Sequence, residues 1–130
     1  MNNKEILDEI QRNIEELQCA IIVDLQGNII EHLASKSFFD EMISLDELKY
    51  VAKIVSLRFG IVDFDKILHG LEITLNDFSE CIMLVTSLDR NILIVFVPRN
   101  ANQTETSNTI LQLKSQIQSV RTLFHEGKEV

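Results

Sequence analysis

Three runs in this chain, Ala20–Leu25, Cys81–Thr86 and Ile92–Val97, are apolar on both faces of an extended strand. Successive side chains of a strand point to opposite sides, so a run of this kind needs cover above and below. It belongs in the middle of a sheet with helices on both faces. Two other runs read differently. Asn28–Ala34 carries Glu31 and His32, and the stretch from Ile67 to Asn76 alternates, with Glu72, Thr74 and Asn76 at its polar positions. Charged, alternating strands suit sheet edges, where they blunt unwanted pairing but also offer a place for a second copy to join. Gln26-Gly27 joins the first two strands as a hairpin turn, with Gly27 supplying positive φ. Asn76-Asp77-Phe78-Ser79 and Leu88-Asp89-Arg90-Asn91 turn the chain between the last three. These short connections predict an antiparallel sheet of five strands in the order 2-1-5-4-3.

Three helical patterns surround the strands. Ile6, Leu7, Ile10, Ile14 and Leu17 form one stripe of a first helix expected from Asn3 to Gln18, capped by Asn2 or Asn3. Ile110, Leu113, Ile117, Val120 and Phe124 form one stripe of a last helix, with Gly127 as its stop. The middle helix is the unusual one. Ser44-Leu45-Asp46-Glu47 reads as a capping box, with Ile43 and Leu48 placed for a hydrophobic staple, and Gly60 is expected to close or weaken the far end. At 100° per residue, Leu48, Val51, Ala52, Val55 and Phe59 share one face, while Tyr50, Ile54 and Leu57 lie nearly opposite. Lys49, Lys53 and Ser56 fill one flank, and Glu47 and Arg58 the other. Either this helix is wedged inside its own domain, or one stripe covers the home sheet and the other meets another chain. The second alternative makes Tyr50, Ile54, Leu57, Glu72 and Thr74 the candidate interface.

Between these elements, Ser35–Ile43 loses periodicity and is expected to fold Phe38 and Phe39 back onto the core. Ile61–Leu68 reads as a short connection, and Arg99–Ser107 as a solvated one. The whole is a single domain over 1–130, of α+β class in α-β-α layers, with the element order αββαβββα.

A formal net charge of −8 and the lack of any Lys/Arg cluster argue against nucleic acid as a partner. No apolar run approaches membrane length, so direct membrane insertion is not expected. The first residues lack the pattern of a signal peptide, which predicts a cytoplasmic protein. Asn102-Gln103-Thr104 matches a glycosylation sequon, but in that compartment it is only a polar loop. Cys19 and Cys81 each head an apolar run and suit buried hydrophobes better than a disulfide or metal site.

Little in the chain points to chemistry. His32, His69 and His125 are far apart, and none has a second ligand at metal-binding spacing on its own element. Asp63 and Asp65 read as turn carboxylates, and no Gly-rich phosphate loop is present. An arginine inserted into a GTPase site can stabilise phosphoryl transfer, but Arg58 on a helix flank and Arg90 in a turn have simpler settings. No catalytic residue, cofactor or metal is expected, and the chain reads as a non-enzyme.

The run Ala20-Ile21-Ile22-Val23-Asp24-Leu25-Gln26-Gly27-Asn28, followed by the long helix from Leu45, resembles the Roadblock/dynein light chain family across nearly the full length. The resemblance implies a homodimer or a heterodimer with a paralogue, in which the middle helices pack together and the third strands meet. It also implies a scaffold that binds or regulates a small Ras-like GTPase. The loop Ser35–Ile43 and the connection Arg99–Ser107 depart from the family pattern. Longin and profilin folds have related layouts, and a longin-like trafficking or adaptor module is the alternative. A longin domain starts with a strand, whereas this chain leads with a helix.

Overall fold

Every residue of strand β1 (Cys19–Val23) is buried, because the strand lies between β2 (Ile29–Ala34) and β5 (Asn91–Pro98) with helices on both sides. The computed structural model describes residues 2–35, 37–61, 74–77, 81–88, 91–98, 101–102, 104–113 and 115–116. Besides these strands it contains α1 (Asn3–Asn13), α2 (Leu45–Ile61), β3 (Thr74–Asp77) and β4 (Cys81–Leu88). Helical residues 104–113 form α3. The five strands make one sheet in the order β2-β1-β5-β4-β3, and every neighbouring pair is antiparallel. This is the expected order. The three strands apolar on both faces are central, and the two half-polar ones lie at the edges.

Alternation along the central strands splits the core in two. Ala20, Ile22, Ile82, Leu84, Leu93 and Val95 face α1 and α3, where they bury Ile6, Leu7, Ile10, Ile110 and Leu113. Ile21, Val23, Met83, Val85, Ile94 and Phe96 face the other way and bury Leu48, Ala52 and Val55 of α2. Three layers result, with the sheet in the middle. The β1–β2 pairing slips by one residue, since Ile22 pairs with Glu31 but Val23 with Ile29. Ile30 is therefore the extra residue of a bulge, which brings Ile29 onto the α2 side.

Several boundaries differ from expectation. The first helix stops at Asn13 and not at Gln18, with Ile14 extended at φ −117° and ψ 97°. The Asn13 side-chain amide donates to the Glu9 carbonyl oxygen at 2.8 Å, and the Gln18 amide donates to the Phe96 carbonyl oxygen at 3.0 Å. Sheet pairing claims Gln18 before a further helical turn could form. The first strand ends at Val23, because Asp24 turns its carboxylate onto the amides that follow. Ser35–Ile43 contains a π-helical turn, Phe38–Met42, closed by the Ile43 amide donating to the Phe38 carbonyl oxygen at 3.1 Å. Phe38 folds back as expected and packs 5.4 Å from the Phe96 ring centroid.

Gly60 does not stop the middle helix, which continues through Ile61; glycine in a helix costs about 1 kcal/mol relative to alanine but forbids nothing. The last helix starts within the stretch expected to be a solvated connection. Asn102 Oδ1 accepts from the Glu105 amide at 3.0 Å and caps it, while Ala101 is buried just before. The expected connection Ile61–Leu68, apart from Ile61 itself, lies outside the described residues. So do Ile117, Val120, Phe124 and Gly127. No helix among the described residues is long and apolar enough to cross a membrane.

Candidate interaction face on helix α2

The start of α2 is fixed by reciprocal bonds. The Glu47 amide donates to Ser44 Oγ at 3.2 Å, and Glu47 Oε1 accepts from the Ser44 amide at 3.3 Å and from its hydroxyl at 3.0 Å. Ile43 and Leu48 join the same core on either side of this box, as a hydrophobic staple requires. Asp46 and Glu47 in the first turn and Arg58 in the last complement the helix dipole.

With the start pinned, the sheet decides which stripe is buried. Leu48 and Ala52 are fully buried, whereas Tyr50 is 69%, Ile54 42% and Leu57 63% exposed. Of the stripe predicted to face the sheet, Leu48, Ala52 and Val55 are buried against it and Val51 packs alongside, while the Phe59 side chain lies outside what is described; the other stripe faces outward. The helix thus presents three apolar side chains, Tyr50, Ile54 and Leu57, on the face turned away from its own core.

The hairpin between β1 and β2 braces one flank of α2. Asp24 Oδ1 accepts from the amides of Gln26 and Asn28, each at 2.9 Å, and Asp24 Oδ2 accepts from the Asn28 side-chain amide at 3.1 Å. The Asn28 backbone bond is the largest cause holding the Asp24 carboxyl below its ordinary range, followed by the Asn28 side chain, the Gln26 amide and the nearby Lys53 charge, against some loss of hydration. Gly27 has φ +87°, as its turn position demands. It also approaches α2 so closely that an added Cβ would lie 2.7 Å from Lys53 Cδ and from Ser56 Oγ. Lys53 Nζ completes the brace, donating to the Gln26 carbonyl oxygen and to Asn28 Oδ1, both at 3.2 Å.

Of the five residues expected at the interface, Tyr50, Ile54 and Leu57 form one exposed stripe. Thr74 lies on a separate element, β3, the terminal strand of the sheet, where it pairs with Val85 of β4. Glu72 lies outside the described residues. Three further large apolar residues among those described, Leu25, Ile30 and Leu45, are also exposed and lie outside the expected set. Leu25, 61% exposed, projects from the hairpin turn that rests on α2. The signal was an apolar residue between Asp24 and Gly27, and reading it as the end of a strand hid it.

Elsewhere the described surface offers few groups suited to catalysis. His32 is exposed on edge strand β2, with its ring centroid 6.3 Å from that of Phe39. Cys19 is buried, and burial pushes its thiol up to about 12. Arg58 is exposed on its helix flank, while His69, Asp63, Asp65, Arg90 and His125 lie outside the described residues. A groove of about 430 Å³ between the end of α1 and the start of α3 is lined by Asn13, Glu15, Glu16, Asn102, Glu105 and Thr109, among others. An apolar hollow of about 190 Å³ lies among Phe38, Ile43, Val51, Met83 and Phe96. Among the described residues no group of three or more His, Cys, Asp or Glu could hold a metal ion.

The sequence matches no protein-family model and no curated protein. Solved structures do match. MglB from Myxococcus xanthus aligns over 94% of this chain and 98% of its own, with a TM-score of 0.69 at 9% identity. An MglB structure described as having a tetrameric arrangement aligns over 88% and 83%, with a TM-score of 0.67 at 14% identity. A Roadblock/LC7 domain from Streptomyces avermitilis aligns over 96% and 99%, with a TM-score of 0.66 at 12% identity. The chain therefore carries the Roadblock/LC7 fold, as the resemblance read from its sequence implied.

Proposed function

We propose that a chain with this fold and an unpartnered apolar stripe on α2 is a non-enzymatic dimerisation and scaffold domain. In this reading Tyr50, Ile54 and Leu57 form its self-association surface. The observation that carries it is their exposure opposite the buried Leu48, Ala52 and Val55 of the same helix. The edge position of β3 supports it, since a terminal strand offers a second place for a partner to join. The tetrameric arrangement described for one MglB structure also fits a fold that assembles. The partner is a second copy or a paralogue, and the setting is cytoplasmic.

The assembled domain binds or regulates a small Ras-like GTPase, as the family resemblance implies. It does so by presenting a surface and donates no catalytic group. Immobilised protein challenged with purified Ras-like GTPases, each loaded with GDP or a non-hydrolysable GTP analogue, tests this reading. Retention of one GTPase with a nucleotide preference is the expected result. Retention of none contradicts the GTPase assignment and leaves the self-association claim to stand on the oligomeric state.

A further inference from the structure

The charges beside the exposed stripe are divided unevenly. Glu47 and Arg58 share one flank, and Asp46 and Lys53 share the other. All four are exposed. Glu47 commits Oε1 to the helix start, and among the described residues Arg58 has no carboxylate within salt-bridge distance. Lys53 is drawn back from the stripe onto the carbonyl and side chain of its own hairpin.

Two copies of a helix related by a two-fold axis can pack parallel or antiparallel. A parallel pair sets opposite flanks together at equal height, which brings Glu47 level with Asp46 of the other copy and repels. An antiparallel pair sets each flank against its own reverse, which brings Glu47 of each copy toward Arg58 of the other, twice. The apolar stripe asks for the same register. Tyr50 and Leu57 are symmetric about the point between Lys53 and Ile54, and Glu47 and Arg58 about the point between Ala52 and Lys53. These two centres differ by one residue, which sets Glu47 and Arg58 of the other copy two residues, about 3 Å, out of line along the helix, an offset that a long arginine side chain spans.

We propose that reciprocal ion pairs between Glu47 of one copy and Arg58 of the other set an antiparallel register at the α2 stripe and select a second copy of this chain as its occupant. The inference rests on the stripe being the self-association surface. Flanking charges of this kind choose partners and orientation in paired helices more than they add affinity.

A charge-swap experiment tests it. Arg58→Glu alone and Glu47→Lys alone each place like charges together twice, and each is expected to weaken self-association roughly 10-fold or more. Mixed together, the two variants present only opposite charges. Native mass spectrometry with one variant isotopically labelled should then show heterodimer well above its binomial share, with the excess shrinking at about 1 M salt. Glu47→Lys also removes the acceptor at the helix start. Glu47→Gln keeps an oxygen there and drops only the charge, and it is expected to weaken the dimer roughly 3-fold or more. A dimeric wild type whose affinity is unchanged by Glu47→Gln, or whose swapped variants mix at the binomial share, overturns the ion pairs alone. A monomeric wild type at micromolar concentration overturns the self-association reading and this inference together.

Discussion

Gly27 and Ser56 meet with room for little more than a hydrogen between them, since a Cβ added to Gly27 would stand 2.7 Å from Ser56 Oγ. The contact joins a hairpin of the sheet to one flank of α2. With the Lys53 bonds to the same turn, it fixes the rotation of the helix about its axis, and so the direction in which Tyr50, Ile54 and Leu57 point. A turn of a few residues thus orients the surface on which the proposed function depends.

Gly27→Ala is expected to destabilise the fold by about 2–5 kcal/mol. A side chain at positive φ costs about 1–2 kcal/mol, and crowding against the Lys53 backbone and the Ser56 side chain adds about 1–3. Urea unfolding of the two proteins measures the difference. A loss below about 0.5 kcal/mol would mean that hairpin and helix give way easily, contrary to the brace described above.

Asp24 should make the turn sensitive to acid. Its carboxyl is held below the ordinary value of 3.8 in the folded chain, so its stabilising contribution is fully present above that value. It is lost as pH falls through the depressed one. Asp24→Ala should therefore lower the melting temperature at pH 7, with the gap to the wild type narrowing below pH 3.8. A gap that is constant down to acid pH would show that the carboxylate charge plays no part.

Phe38 anchors the π-helical turn under α2, buried against Phe96. Phe38→Ala removes a fully buried ring and is expected to cost about 3–5 kcal/mol in unfolding free energy. A cost near that of a surface change would place the ring outside the core.

Cys19 is fully buried with its thiol pushed up to about 12. Little thiolate exists at pH 8, and reagent has no access. Iodoacetamide should leave the Cys19 peptide unlabelled in native protein and label it fully in denaturant. Rapid native labelling would contradict its placement in the core.

The strand order was legible because its determinant is local. Whether a strand is apolar on one face or two can be read from a few consecutive residues, and that alone separated β1, β4 and β5 from the edges. The capping box of α2 and its buried stripe were legible for the same reason. What escaped depends on contacts between distant residues. Nothing near Gln18 announces that its amide bonds to the Phe96 carbonyl oxygen and so ends α1 early. Nothing near Gly27 announces Lys53 and Ser56, so the sequence explains its positive φ but not its approach to α2. The Asn102 cap is a different case. Its local signal was present, but the run of polar residues around it read as a solvated connection.

The claim most open to direct contradiction is that Tyr50, Ile54 and Leu57 hold two copies together. Sedimentation equilibrium of the wild type and of Leu57→Glu at micromolar concentration tests it. The account predicts a dimer for the wild type and a folded monomer for Leu57→Glu, because an exposed glutamate is harmless in the single chain but buried without a partner in the pair. A wild type that sediments as a monomer, or a Leu57→Glu variant that remains as dimeric as the wild type, would contradict it.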